Sequence, residues 1–299
     1  VKVAAAMSDG VHSFLPDAQT ILVPVADGGD GTLQALVDSS GGEVRTANVE
    51  DAIGRPITAE WGALGDATTA VIEVASAVGL ARLSPDERDV RNASTFGIGQ
   101  LFAHALDAGF SNFIIGVGGS ATNDGGAGMI QAMGGNLTDK NGEELPRGGI
   151  ALSSLASIDI SSMDPRMLHA DIVVACDVNN PLCGPRGASA IFGPQKGATF
   201  QDVQELDAAL ANYSEVIAKD LNTDVAEIPG AGASGGLGAG LMGFFGARLR
   251  LGADIVLEAV SLEEHLIDAD LVIVGEGQFD RSTVSVSYTH LTLPTILLV

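Results

Sequence analysis

Five segments of this 299-residue chain combine the residue types that handle charged groups: ADGGDGT at 26–32, GGSATNDGG at 118–126, CDVNNPLCGPRGASAIFGPQKGA at 176–198, PGAGASGGLGAG at 229–240 and GEGQFDRST at 275–283. Each offers backbone N–H groups together with hydroxyls or carboxylates. Backbone amides and helix N-termini bind phosphate or carboxylate, and Asp side chains hold Mg²⁺ or take a proton from a hydroxyl. That combination suits phosphoryl transfer. Lys196 is the sharpest single residue, one of four lysines, set in FGPQKGA without a neighbouring acid in a chain of net charge −23. Arg186, in the same segment, is placed to act beside it. The bland alternatives are a Gly-rich connection and a solvated loop lysine, since glycine commonly punctuates turns and lysine is mostly exposed.

Several other chemistries are excluded. There is no GxxxxGK[ST] phosphate loop and no HRD or DFG signature of protein kinases. ADGGDGT has Gly29 where a calcium loop needs Asp or Asn. The five His residues are scattered without metal-binding spacing, His104 reading as structural, and Ser120 lacks the GxSxG elbow of hydrolases. Cys176 and Cys183 match no zinc pattern and are too few for a disulfide framework, which suits a reducing cytosol. The excess of 38 acids over 15 bases repels nucleic acid and anionic membrane surfaces. Two GxGxxG/A matches, at 116–121 and 230–235, keep a dinucleotide-binding reading open, with Asp139 near the place of a ribose-binding acid.

The elements that must position these loops follow from hydrophobic period. VKVAAAMSDGVHSF reads as a helix entered partway. TILVPV gives a short strand, and a helix runs from about Thr32 to Gly41. Residues 43–75 alternate around Gly54, Pro56 and Gly65, predicting two or three strands. A helix stopped at Gly109 precedes a strand into GVGG. ADIVVACDV reads as a buried strand, QDVQELDAALANYSEVIAKDL as an amphipathic helix, GLGAGLMGFFGARL as a small-residue helix and DADLVIV as a last strand. Strands alternating with helices, with Gly-rich loops at strand ends, indicate a largely parallel α/β fold that binds ligands at that edge.

In this order the loops resemble the bacterial glycerate kinase family, a lineage with neither a P-loop nor a protein-kinase core. PVADGGDGT, GVGGSATNDGGAG, ACDVNNPLCGPRGASAIFGPQKGA, PGAGASGGLGAG and GEGQFD carry the resemblance, over roughly residues 1–285. It implies ATP-dependent, Mg²⁺-assisted phosphorylation of the small molecule D-glycerate, at the 2-position, in the cytoplasm. The implied fold is an incomplete flavodoxin-like parallel-sheet domain (1–60 with 268–285) into which a second α/β domain (61–267) is inserted. Lys196 is then assigned to the phosphates or the transferring phosphoryl group, and Asp177 or Asp280 to Mg²⁺ or to the glycerate hydroxyl proton. Gly118, Gly119, Ser120 and Asn123 are expected to meet carboxylate or phosphate, with Asp27, Thr32, Asp124, Arg186, Gly232 and Ser234 also lining the cleft. Two departures stand out. The family's opening strand and PDSFKGSL-type loop have no counterpart, and Val286 and Ser287 stand where a Gly-Lys pair is expected. Residues 286–299 resemble translated adapter sequence rather than a biological segment. The competing readings are an inactive or binding-only module and a nicotinamide-dependent dehydrogenase.

Overall fold

The structure is a computed structural model that describes residues 2–23 and 31–273. Its elements run α1 (Lys2–Phe14), α2 (Thr32–Ser40), β1 (Glu43–Glu50), β2 (Pro56–Ala63), β3 (Thr69–Glu73), α3 (Val74–Val78), α4 (Phe96–Asp107), β4 (Asn112–Gly116) and α5 (Ala127–Ala132). There follow β5 (Asn136–Thr138), β6 (Ser157–Asp159), β7 (Asp171–Ala175), α6 (Ala188–Phe192), α7 (Phe200–Leu221), α8 (Ala233–Phe245), β8 (Arg248–Arg250), α9 (Gly252–Ala259) and α10 (Leu262–Leu266). The helix and strand readings over 32–41 and 43–75 hold. Leu33, Leu36 and Val37 bury one face of α2, and Gly41 ends it in the left-handed region at φ 67°. The strands expected at ILVPV and LVIV run into residues outside the described ones.

Six strands form one sheet in the order β1-β2-β3-β4-β7-β8. The first two pairings are antiparallel and the other three parallel. At the β1–β2 turn the buried Asp51 carboxylate accepts hydrogen bonds from the N–H groups of Ile53 and Arg55 and from Arg55 Nε. β5 and β6 pair separately. Three-residue strands such as β5, β6 and β8 are too short to show a sequence period, so no pattern announced them.

Alternate residues of the central strands feed opposite faces, as the pleat requires. Ala70 and Ile72 of β3, Phe113 and Ile115 of β4, and Ile172 and Val174 of β7 enter the larger core with α4, α5, α7 and α8. Val71 and Ala175 point the other way, onto Leu33, Leu36 and Val37 of α2 and Ile255 and Val256 of α9. Both faces are thereby covered, which is what a mostly parallel sheet needs. β1 pairs along its whole length with β2, and the division expected at residue 60 falls inside β2. Glu73, Gly116 and Ala175 are register partners across β3, β4 and β7. The segments after these strands therefore leave the sheet at one edge, where open α/β sheets bind ligands.

Candidate active site

A cleft of ≈ 260 Å³ opens at that edge. Its walls are Val117–Ser120 after β4, Ala175 at the end of β7 with the following Cys176–Val178, Phe192, Gln195 and Lys196, and Ala233 and Ser234 at the start of α8. Lys196 owes its position to local sequence. Pro194 starts a single 3₁₀ turn, Pro194–Lys196, and Gly197 closes it at φ 94°. Two residues later a reciprocal cap begins α7: the Asp202 carboxylate accepts from Thr199 N–H and Oγ1, and Thr199 Oγ1 accepts from Asp202 N–H. These bonds, with Arg91 beside it, hold the Asp202 carboxyl down at about 2.

Lys196 is 2% exposed. Its ammonium donates to Ser120 Oγ at 3.0 Å and to the Thr122 carbonyl at 2.6 Å. Burial drives its pKa down to about 7, and the charge of Asp124 opposes that fall. Asp124 is wholly buried behind the loop. Its Oδ2 accepts from Thr95 N–H (2.8 Å), Thr95 Oγ1 (2.9 Å) and Gly128 N–H (3.2 Å), and its Oδ1 from Gly126 N–H (3.2 Å). Burial raises its pKa, and these donors pull it back. Asn123 is equally buried; its Nδ2 donates to Ser189 Oγ, while Oδ1 has no partner among the described residues. Asp177 Oδ1 accepts the first N–H of α9, from Gly252, at 3.0 Å.

The structure thus brings Gly118, Gly119, Ser120, Asp177, Lys196 and Ser234 to one cleft. Asn123 and Asp124 stand behind that wall rather than on it. Thr32 is buried at the start of α2, and its Oγ1 has no partner among the described residues. Gly232 is buried, its N–H bonded to the Asn180 carbonyl. Arg186 is exposed and not among the cleft-lining residues. Asp27 and Asp280 lie outside the described residues, as do residues 286–299. Three residues that sequence reasoning missed matter here. Gln195 and Phe192 line the cleft, and Thr95 bridges Asp124 to Met129 N–H at 3.0 Å. Only Thr95 had a signal, a hydroxyl residue just before a helix.

Asp139, the acid of the dinucleotide reading, is occupied by its own turn, accepting from Asn141 and Glu143 N–H. A second hollow of ≈ 250 Å³ is lined by Asp51, Asn92, Ser94 and Arg147. Asp51 there is paired with Arg55 and Arg147 with Glu50, while Asp89 accepts from Asn92. No helix among the described residues is long and apolar enough to cross a membrane.

The geometry has counterparts. The family model described as "Glycerate kinase family" matches residues 1–288. Glycerate 2-kinase of Escherichia coli K12 is 50% identical over 283 residues, 95% of this chain and 74% of that protein. Glycerate kinase of Bacillus subtilis 168 is 49% identical over 284 residues, again 95% and 74%. A Salmonella typhimurium LT2 crystal structure, described as a candidate glycerate kinase 2, superposes with a TM-score of 0.88 at 50% identity, covering 93% of this chain and 75% of that one. The resemblance drawn from the five loops is borne out, and this chain, a kinase by that kinship, belongs to the glycerate kinase family.

Proposed function

We propose that the cleft transfers the γ-phosphoryl group of ATP to the 2-hydroxyl of D-glycerate. The observation that carries this is the buried Lys196 ammonium at the cleft wall, fixed by Ser120 Oγ and the Thr122 carbonyl. Phosphoryl transfer asks a protein mainly to position the reactants and neutralise spreading negative charge. A fixed cation in a site walled off from water does this with little reorganisation. Lys196 meets the transferring phosphoryl oxygens, and Gly118 and Gly119, which line the same cleft, would offer backbone amides to phosphate or carboxylate. Ser234 lines the same cleft at φ 55°, a conformation that is strained for a side-chain-bearing residue and that persists only where the surroundings impose it.

Mg²⁺ binding by this family of reactions takes one or two carboxylates together with substrate phosphates and waters. The described cleft offers one carboxylate for that mode, Asp177. Asp177 would hold the ion, which would supply neutralisation of the phosphate charge. The resemblance implies Asp177 or Asp280 as acceptor of the hydroxyl proton. We also assign β1, β2 and β3 to one domain, because their continuous pairing argues against a division at residue 60. The two cysteines are free, in keeping with a cytosolic setting.

The test is ³¹P NMR of the product formed from ATP and D-glycerate. Resonances of ADP and 2-phosphoglycerate are expected. Formation of 3-phosphoglycerate refutes the regiochemistry alone, whereas saturable NADH binding without ATP binding refutes the kinase reading.

A further inference from the structure

Among the described residues three charged side chains are buried: Asp51, Asp124 and Lys196. Asp51 has Arg55 against it, Nε to Oδ2 at 2.7 Å. Asp124 and Lys196 make no direct ion pair among the described residues, yet they are held by one short stretch of chain. Lys196 Nζ bonds to residues 120 and 122, and the next residue but one is Asp124. Every group bonded to the Asp124 carboxylate is a neutral donor, four in all. Such a donor set favours the ionised form, acting against the burial that raises the Asp124 pKa. Every group bonded to the Lys196 ammonium is a neutral acceptor. An isolated buried ammonium gives up its proton rather than bear the desolvation, so two neutral acceptors alone do not keep it charged.

We propose that Asp124 is a positioning residue that never touches substrate: its carboxylate, fixed behind the glycine loop by Thr95, Gly126 and Gly128, supplies the countercharge that keeps Lys196 cationic at the cleft wall. The inference rests on the reading of Lys196 as the phosphoryl-facing cation, but it is tested without turnover. The direction of the Lys196 shift supports it, since burial lowers the pKa and Asp124 alone acts to raise it. The other titratable groups around the pair are accounted for. Cys176 and Asp177 come from the segment after β7, and burial raises the Cys176 thiol. Tyr213 of α7 faces Asp124, with its phenol pushed well up by burial. Arg88 approaches from outside, its guanidinium donating to the Gln195 carbonyl at 3.2 Å. None of these is a second anion bonded to the ammonium.

The experiment is a ¹³C NMR titration of the unliganded chain labelled at lysine Cε. The sequence has only Lys2, Lys140, Lys196 and Lys219, so Lys196 is assigned by its loss in Lys196→Met. In the wild-type chain the Lys196 resonance is expected to titrate near neutrality. In Asp124→Asn it is expected to titrate lower by about one pH unit or more, the size of effect a nearby opposite charge exerts. Lys140 and Lys219 should not move. A folded Asp124→Asn chain whose Lys196 titrates as in wild type overturns the proposal. Should that variant not fold, the wild-type titration decides: a Lys196 that stays neutral throughout overturns it, and one that titrates at or above neutrality supports it. Because no substrate is present, either result leaves the kinase reading to be judged on turnover.

Discussion

At the scale of single residues, Lys196 was legible in the sequence because a strongly acidic chain placed a cation where no acid adjoined it. What the sequence could not carry was its burial, which depends on contacts with Ser120 and Thr122, some seventy residues away. Arg186 shows the converse. It shares Lys196's segment yet is exposed, because the intervening α6 and 3₁₀ turn separate the two. Asn123 and Asp124 looked like ligand-binding groups by type, but a Gly-rich loop has no period from which to tell its inner side from its outer. The chemistry of Lys196 gives a pH dependence with a definite sign. Its folded pKa is lowered to about 7, so the ammonium is present below that value and lost above it. Free-enzyme ionisations appear in kcat/KM. We expect kcat/KM for D-glycerate to fall as pH rises through about 7, a limb absent from Lys196→Met. A profile flat from neutrality to the ordinary lysine range would contradict the role.

At the scale of elements, long periodic helices such as α4 and α7 and the buried strands β4 and β7 were readable, since their side chains alternate or recur over many residues. The start of α8 was not. Ser234, Gly235 and Gly236 all adopt left-handed φ values at a kink where the Gly-rich loop meets the small-residue helix expected from Gly236. The reason lies in the neighbouring loop. A Cβ at Gly235, where φ is 69°, would come within 2.1 Å of the Thr122 carbonyl oxygen, and Gly125 N–H bonds to the Gly235 carbonyl at 3.0 Å. Glycine here lets two loops close on each other, and the acceptor they fix is the one that holds Lys196. Gly235→Ala is therefore expected to destabilise the chain by about 2–4 kcal/mol, combining left-handed strain with a backbone clash. Chemical denaturation checks this, and a loss below about 0.5 kcal/mol, the range of an indifferent surface change, would contradict the packing account.

For the whole molecule, alternation of strands and helices was enough to foresee an α/β fold, and among the described residues the segments after β4 and β7 do line one cleft. Which loops meet was fixed by register, Glu73 beside Gly116 beside Ala175, and pairing across β3, β4 and β7 has no local signal. Kinship to the glycerate kinase family was legible for a different reason: five loop motifs in fixed order identify a lineage even where single motifs are ambiguous. The central claim is that Lys196 provides the charge on which transfer depends, and turnover tests it most directly. ADP release from ATP with D-glycerate should be compared between wild type and Lys196→Ala, with melting temperatures recorded for both. The account expects kcat/KM to drop by about 100-fold or more, as when a fixed electrostatic contact to the transition state is removed, while the variant still melts cooperatively. A folded Lys196→Ala chain turning over within about threefold of wild type, a difference of less than 1 kcal/mol in barrier, would contradict it.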